Sequence, residues 1–401
     1  LVLAAAWILS GPACARHVFS PVGPESVYLT WQGDPTTTIT VQWLSGEGET
    51  GDEVVFGPVG GDRLRTAQGR HHPLPHSDRI VHVVELTGLD PGRDYRFRIA
   101  GQLKEHVFRT MPADAADPVS FIVGGDVFRA RELDERMFRT AARQDAMFVV
   151  LGGDIVYDNG RANRVDRWYR LLDAWCRCMV APDGRLIPLV AAIGNHEVHG
   201  RYDQPPQRAP FFYSLFAGIG RDGRQVLDFG DYMSVLLLDS GHTHPIDGEQ
   251  AAWLERTLAD RSEVPHLFVV YHVPAFPSAR AFNSGRSRSV RRHWVPLFER
   301  YGVDVVFEHH DHAYKRTHRI KEGRIDPAGV LYLGDGGWGV RPRKVHSVKR
   351  TWYLARAESA NNIIVTTVHR RNRRHAALNR EGLVIDSHPQ DSQRQTSDRP
   401  R

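Results

Sequence analysis

Apolar and polar positions alternate over residues 20–112 in six short runs: SVYLTWQ, TITVQWL, EVVFG, IVHVVEL, YRFRIAG and HVFRT. Clusters of Gly, Pro and Asp separate them. A period of two sends successive side chains to opposite faces, so each run predicts a half-buried strand. Their close spacing predicts a small antiparallel sandwich. Residues 112–118, PADAADP, read as a short linker. From Val119 the pattern changes to continuous apolar runs, VSFIV, AMFVVL, PLVAAI, MSVLLLD, HLFVVY, VDVVF and VLYLG. These alternate with stretches of helical period at about 131–143, 163–179, 248–260 and 289–301. Strands that are apolar on both faces need cover on both, which predicts α/β or α+β layering with helices on a sheet.

At 401 residues the chain is long enough for two domains, one of them large. The segment LTGLDPGRDYRFRIAG, in which a Leu-x-Pro-Gly turn leads into a Tyr-bearing strand, resembles the fibronectin type III signature. The first fifteen residues, LVLAAAWILSGPACA, are apolar and uncharged up to Arg16. Their length suits the apolar region of a signal peptide and is short for a bilayer span, and Ala13-Cys14-Ala15 reads as a small-x-small cleavage site. The expectation is therefore a signal peptide over 1–15 and an exported protein, periplasmic or secreted. Lipidation of Cys14 and a buried N-terminal strand or helix are the weaker readings, the first because Gly11 and Pro12 fit a lipidation box poorly. Cys176 and Cys178 then remain, two apart in a helical pattern and facing apart, which argues against a disulfide or a shared metal. Residues 387–401 are polar enough to predict a disordered tail. No membrane span follows the N-terminus.

The net charge of +5 favours anionic substrates. No run interleaves Lys or Arg with aromatics, so no nucleic-acid partner is expected. The basic stretch VHRRNRRHAALNR reads as an exposed strand pair with solvated arginines.

Chemistry-bearing residues recur where the buried strands end. VSFIV is followed by GGDVF with Asp126, and AMFVVL by GGDIVYDNG with Asp154 and Tyr157. PLVAAI is followed by GNHE with Asn195 and His196, HLFVVY by His272, and VDVVF by EHHDHAY with His310 and His312. One such Asp reads as a helix cap, but five strand ends in series do not. Asp126, Asp154, Tyr157 and His312 would give one cation an oxygen-rich shell; Asn195, His272 and His310 would give a second cation a more neutral one. Asp154, with two carboxylate oxygens, could bridge them. Paired metals polarise a phosphoryl oxygen, activate bound hydroxide and stabilise the entering and leaving oxygens.

The succession G-D, G-D-x-x-Y, G-N-H-E, V-x-x-H and H-x-H-A-Y across residues 119–314 resembles the purple acid phosphatase branch of the calcineurin-like metallophosphoesterases, which also carries a fibronectin-like N-terminal domain. The resemblance implies a fibronectin III-like sandwich over 20–112 followed by a four-layer α+β metallophosphoesterase sandwich over 118–386. It implies that Asp126, Asp154, Tyr157 and His312 hold Fe(III), and that Asp154, Asn195, His272 and His310 hold Fe(II), Zn or Mn. A free phenol titrates near ~10, so its binding as phenolate requires a strong Lewis acid. His196 matches a histidine that contacts the substrate phosphate and assists the leaving group. Of the two histidine pairs, EHHDHAY stands where the family places its last ligands, whereas GHTH with His242 and His244 is expected on a loop, solvated or at the pocket rim, with a role behind the ligands or against substrate as the weaker reading.

The chain departs from the pattern at Phe128, expected to narrow the entrance, and at His309, where Gly is usual. Asp311 between the ligands is unusual in type. The family's plant and animal members carry phosphate-contacting histidines between the blocks of His272 and His310; here that stretch offers Arg280, Arg286 and Arg288 in a loop, guanidinium forks suited to phosphate oxygens but not to proton donation. The expected activity is hydrolysis of phosphate esters, most simply monoesters, by attack of a metal-bound hydroxide. A phosphodiesterase or alkaline-preferring phosphoesterase on the same scaffold is the nearest alternative, and a non-catalytic exported binding protein the remote one.

Overall fold

The computed structural model describes residues 25–129, 135–334 and 336–389. The expected signal peptide, nearly all of the expected tail and the first turn of the helix expected from 131 lie outside the described residues.

The N-terminal domain is two four-stranded antiparallel sheets. One orders Glu25–Thr30, Ile39–Gly46, Arg79–Leu86 and Arg70–Pro73; the other orders Arg65–Gln68, Glu53–Pro58, Asp94–Ile99 and His106–Arg109. The period-two reading holds at Asp94–Ile99, where Tyr95, Phe97 and Ile99 point inward. The Leu-x-Pro-Gly turn closes on this strand because the Tyr95 hydroxyl accepts the Asp90 N–H at 2.8 Å. Arg65–Gln68 and Arg70–Pro73 escaped the hydrophobic pattern because they are short and carry no apolar face.

The larger domain stacks two mixed sheets. The first runs Leu189–Ala191, Val149–Leu151, Val119–Gly124, Ile363–His369, Asn372–Leu378, Val384–His388; its first three strands are parallel. The second runs Gln225–Phe229, Met233–Leu237, His266–Val270, Val305–Glu308, Leu331–Gly334, Tyr314–Thr317, Leu354–Glu358, with a parallel block from Met233 to Gly334. Phe121 of the first sheet meets Phe268 and Phe307 of the second at ring distances of 5.4 and 6.3 Å. Helices close the outer faces: Glu135–Ala142 and Asp166–Cys178 on one side, Glu249–Ala259, Gly285–His293 and Val295–Arg300 on the other. This is the expected α+β layering. Trp31 packs edge-on against Phe148, and Gln225 donates to the Trp31 carbonyl at 2.9 Å, so the two domains share apolar and polar contacts.

Several expectations need correction. The helix expected over 289–301 starts earlier, at Gly285, behind the N-cap Ser284, whose hydroxyl accepts from Ser287 N–H. It breaks at Trp294 because Pro296 supplies no N–H and its ring excludes the carbonyl four residues back; the chain restarts as Val295–Arg300. Arg286 and Arg288 therefore lie on a helix, not in a loop. The basic stretch does form a strand pair, Ile363–His369/Asn372–Leu378, with Arg370, Arg371 and Arg374 exposed as expected, but its strands are not peripheral: Ile363–His369 sits beside Val119–Gly124 in mid-sheet. The last strand reaches His388, past the expected end of the domain. Cys176 and Cys178 are free thiols on one helix.

Candidate metal centre

The parallel strands of both sheets deliver their C-terminal ends to one edge, as sites in layered α/β folds require. Asp126, Asp154, Tyr157, Asn195, His272, His310 and His312 are all buried there. Five of the seven have left-handed backbone: Asp126 (φ 57°), Asp154 (φ 52°), Tyr157 (φ 55°), His310 (φ 79°) and His312 (φ 58°). Side chains other than Gly, Asn and Asp rarely tolerate that region, and each such residue costs on the order of 1–3 kcal/mol. Such concentrated strain at one edge marks a site that the surrounding fold holds in place.

The donors form two groups. In the first, Asp126 Oδ1 lies 2.8 Å from the Tyr157 hydroxyl and 2.9 Å from His312 Nε2. The phenol is 3.1 Å from the same His312 nitrogen. In the second, the ligand atoms of Asp154, His272 and His310 all lie within 4.8 Å of one another. His272 Nε2 is 3.2 Å from Asp154 Oδ2 and 3.1 Å from His310 Nδ1. The groups are joined through the His310 N–H, which donates to Asp126 Oδ2 at 2.9 Å. Asn195 lies at the adjoining strand end, its Oδ1 taken by the Tyr202 hydroxyl at 3.3 Å.

The chemistry of this donor set fits cations. Asp154 Oδ2 is buried and forms no hydrogen bond, which is costly for a carboxylate oxygen unless a cation faces it. His272 donates Nδ1–H to the Gly152 carbonyl at 2.9 Å, which leaves Nε2 as the coordinating atom. Burial, then the charges of Asp126 and Asp154, push the Tyr157 phenol well above its ordinary value. It would ionise only beside a strong Lewis acid. Burial opposes charge on His272 and Asp154 alike, yet their mutual contact wins: the imidazole rises to about 9 and the carboxyl falls below its usual range.

His196, the remaining histidine of GNHE, stacks on Tyr157 with ring centroids 4.2 Å apart. Its Nδ1 meets Asn159 Oδ1 at 2.5 Å, and its side chain keeps 19% exposure, so Nε2 is left for a ligand in the cleft. Arg280 and Arg286 line a cavity of about 600 Å³ that reaches His310. Arg288 is exposed on the helix and is not among the lining residues.

Other residues in and around these motifs also shape the site. Glu197 accepts N–H groups from Gly194, Asp154 and Ile155 at 2.8, 2.8 and 2.6 Å, and so ties two of the strand-end turns together. Burial and the Asp154 charge lift its carboxyl to about 8. Its place in GNHE was the available signal. His309 fills the gap between two glycines: a Cβ on Gly152 would meet its ring at 1.8 Å, and one on Gly125 would lie 2.8 Å from its Nδ1. Asp311 points away from the donors and accepts the N–H groups of Ala279 and Arg280 at 2.6 and 3.0 Å, which explains its unusual type. Phe128 does not stand open at an entrance; it is buried beneath Arg167 and Arg170. His242 corrects a further expectation. It is fully buried, stacks on Tyr202, and its ring lies 5.6 Å from that of His272, a neighbour of the donors and not a solvated side chain.

Comparison with known proteins agrees with this geometry. Residues 24–110 match the model of the purple acid phosphatase N-terminal domain, and residues 118–314 that of the calcineurin-like phosphoesterases. The chain is a purple acid phosphatase-like member of the calcineurin-like phosphoesterases. It is accordingly a metal-dependent phosphoric ester hydrolase, and the family implies a dinuclear metal centre. It is 25% identical over 335 residues to purple acid phosphatase 18 of Arabidopsis thaliana, covering 78% of this chain and 71% of that one. In fold, this phosphoesterase is similar to the purple acid phosphatase PPD1 of yellow lupin (Lupinus luteus) seeds, with a TM-score of 0.75 at 19% identity over 91% of this chain and 73% of that one. PhoD shares the fold with a TM-score of 0.65 at 12% identity, covering 92% of each chain. No described helix is long and apolar enough to cross a membrane.

Proposed function

We propose that this phosphoesterase is a phosphomonoesterase whose two metal ions are held by the seven buried donors. Asp126, Tyr157 and His312, with Asp154, would take Fe(III); Asn195, His272 and His310, again with Asp154, would take Fe(II), Zn or Mn. The observation that carries this reading is the buried cluster of Asp154, His272 and His310, whose ligand atoms all lie within 4.8 Å of one another and in which Asp154 Oδ2 accepts no hydrogen bond and has the ring of His272 3.2 Å away. The phenol of Tyr157 beside Asp126 favours iron in the first group. Bound there, the ions supply Lewis acidity toward the phosphoryl oxygens and acidify water.

The chain's own residues do the rest. His196, oriented by Asn159, contacts the phosphate and assists departure of the alcohol; no covalent protein nucleophile is needed. The apolar residues 1–15 support export to the periplasm or beyond.

Elemental analysis of purified enzyme, paired with turnover of 4-nitrophenyl phosphate and bis(4-nitrophenyl) phosphate, tests the reading. Two ions per chain, at least one of them iron, with the monoester preferred, is the expected result. Two ions without iron would remove the role given to Tyr157, and a preference for the diester would make the enzyme a phosphodiesterase. Absence of bound metal after supply of iron, zinc and manganese would refute the centre itself.

A further inference from the structure

Charge is distributed unevenly along this chain. Residues 278–293, SARAFNSGRSRSVRRH, contain five arginines and no acid; residues 339–353, GVRPRKVHSVKRTWY, contain five further Lys or Arg and no acid. The chain as a whole is only +5, so everything outside these two segments is net negative. Both segments lie against the metal centre. The first forms a wall of the cavity of about 600 Å³ that reaches His310. The second passes His312, whose carbonyl accepts Arg343 N–H at 2.9 Å, and is pinned to the first by His346, whose N–H donates to the Ser278 carbonyl at 2.6 Å. Its Nε2 lies 2.8 Å from the Arg280 carbonyl.

The cavity-facing guanidinium groups are held, not floppy. Arg280 Nε lies 3.2 Å from the buried Asp311 carboxylate and its Nη2 donates to the His310 carbonyl at 3.4 Å. Arg286 pairs with Asp203 and lies 5.0 Å above the Tyr202 ring. Each keeps further N–H donors beyond these contacts. Arg288, Arg292, Arg341, Arg343, Lys344, Lys349 and Arg350 form no ion pair among the described residues. Like charges gathered this way repel, and a single phosphate held at the metal centre does not use them all. Ser284 and Ser287 add hydroxyls to the same cavity, and Val273, Pro274 and Ala281 give it apolar wall for a carbon skeleton.

We propose that this cavity is a second anion subsite, and that the preferred substrates are phosphate esters whose alcohol part carries another acidic group, a carboxylate or a second phosphate. This rests on the phosphoesterase reading above. It moves Arg280 and Arg286 from the reacting phosphate to the far end of the substrate, where fork geometry suits either anion.

The test uses metal-loaded enzyme and calorimetric titration with benzylphosphonate, 3-carboxybenzylphosphonate and 1,3-xylylene bisphosphonate, alongside kcat/KM for the matching phosphate esters. At least one ligand with a second anion should bind tenfold or more tightly than benzylphosphonate, and its ester should be favoured similarly; which of the two does so identifies the anion. Arg286→Gln should reduce that ratio to threefold or less. Arg292→Glu, at an exposed position on the same helix, should lower it at least twofold. Equal binding of the three ligands, or a ratio that neither variant changes, overturns the subsite while hydrolysis of the simple ester leaves the phosphoesterase reading intact. No binding and no hydrolysis of any of them would overturn both.

Discussion

Beneath the centre, Glu308 and Lys315 are both wholly buried, with Nζ 2.5 Å from Oε2. Glu308 also accepts the Tyr271 hydroxyl and the Ala275 N–H, each at 2.6 Å, and so fastens the turn after His272 to the strand before His310. Lys315→Met keeps most of the volume and removes the cation. At an effective dielectric of 20 the lost attraction over 2.5 Å is about 7 kcal/mol, offset by the burial cost of the ammonium that is no longer incurred. Breaking a buried pair from one side typically destabilises by about 3–5 kcal/mol. The loss has a ceiling, because a stranded carboxylate can take up a proton. From an ordinary glutamate value near ~4.3, that costs about 3.7 kcal/mol at pH 7 and about 1 kcal/mol at pH 5. A carboxyl whose folded value is raised loses stability as pH rises, so the penalty must grow between pH 5 and pH 7. Urea denaturation should therefore show Lys315→Met destabilised by about 3–4 kcal/mol at pH 7 and by clearly less at pH 5. Adding Glu308→Gln removes the stranded charge, so the double variant should lose about 3 kcal/mol less than the sum of the two single variants. A loss under about 1 kcal/mol at pH 7, or an equal loss at both pH values, would show that the pair does not carry this load.

Asp154→Asn should remove bound metal and hydrolysis together; unchanged turnover would refute the assigned centre. Asn159→Ala frees the His196 ring and should lower turnover about 10–100-fold with metal content retained, as read by elemental analysis beside the assay. Gly152→Ala puts a Cβ 1.8 Å from the His309 ring and should markedly lower the melting temperature, and His309→Gly added to it should restore most of the loss; failure of that rescue would locate the strain elsewhere. Burial raises the Asp386 carboxyl, but contacts with Arg316 at 2.6 Å and the Tyr314 hydroxyl at 2.7 Å outweigh it and hold it below its ordinary value. Its contribution is thus present above the usual carboxylate range and lost as pH falls through its lowered value. Asp386→Asn should cost about 2 kcal/mol at neutral pH, with the difference from the parent protein closing in acid.

The positive segments also frame the electrostatics of the cleft. A field of one sign over a concave site raises local substrate concentration and association rate, and salt weakens it. The strong Arg and Lys content of residues 278–293 and 339–353 is therefore expected to make kcat/KM for doubly anionic esters fall as ionic strength rises.

The linear pattern of residues determined the layers and which candidate donors gather at one edge. Continuous apolar runs must be covered on both faces, so VSFIV, MSVLLLD and VDVVF were legible as buried strands from their composition alone. Asp126, Asp154, His272 and His310 were legible because each follows such a run, and parallel strands deliver their ends to one edge. The tertiary structure alone decided what lies between and behind those donors. Pairing across two sheets is a long-range matter, so the mid-sheet place of Ile363–His369 and the burial of His242 carried no local signal. The same holds for Glu197, which is one more acid in a short motif until folding brings it 2.8 Å from the Asp154 N–H, 43 positions away. His309 showed in the sequence only as an odd side chain in a turn; its place between Gly125 and Gly152 exists only once three strand ends meet. Local patterning specifies which side chains are buried, because burial follows a period along the chain. Which buried groups become partners depends on contacts between distant segments, and no period encodes those.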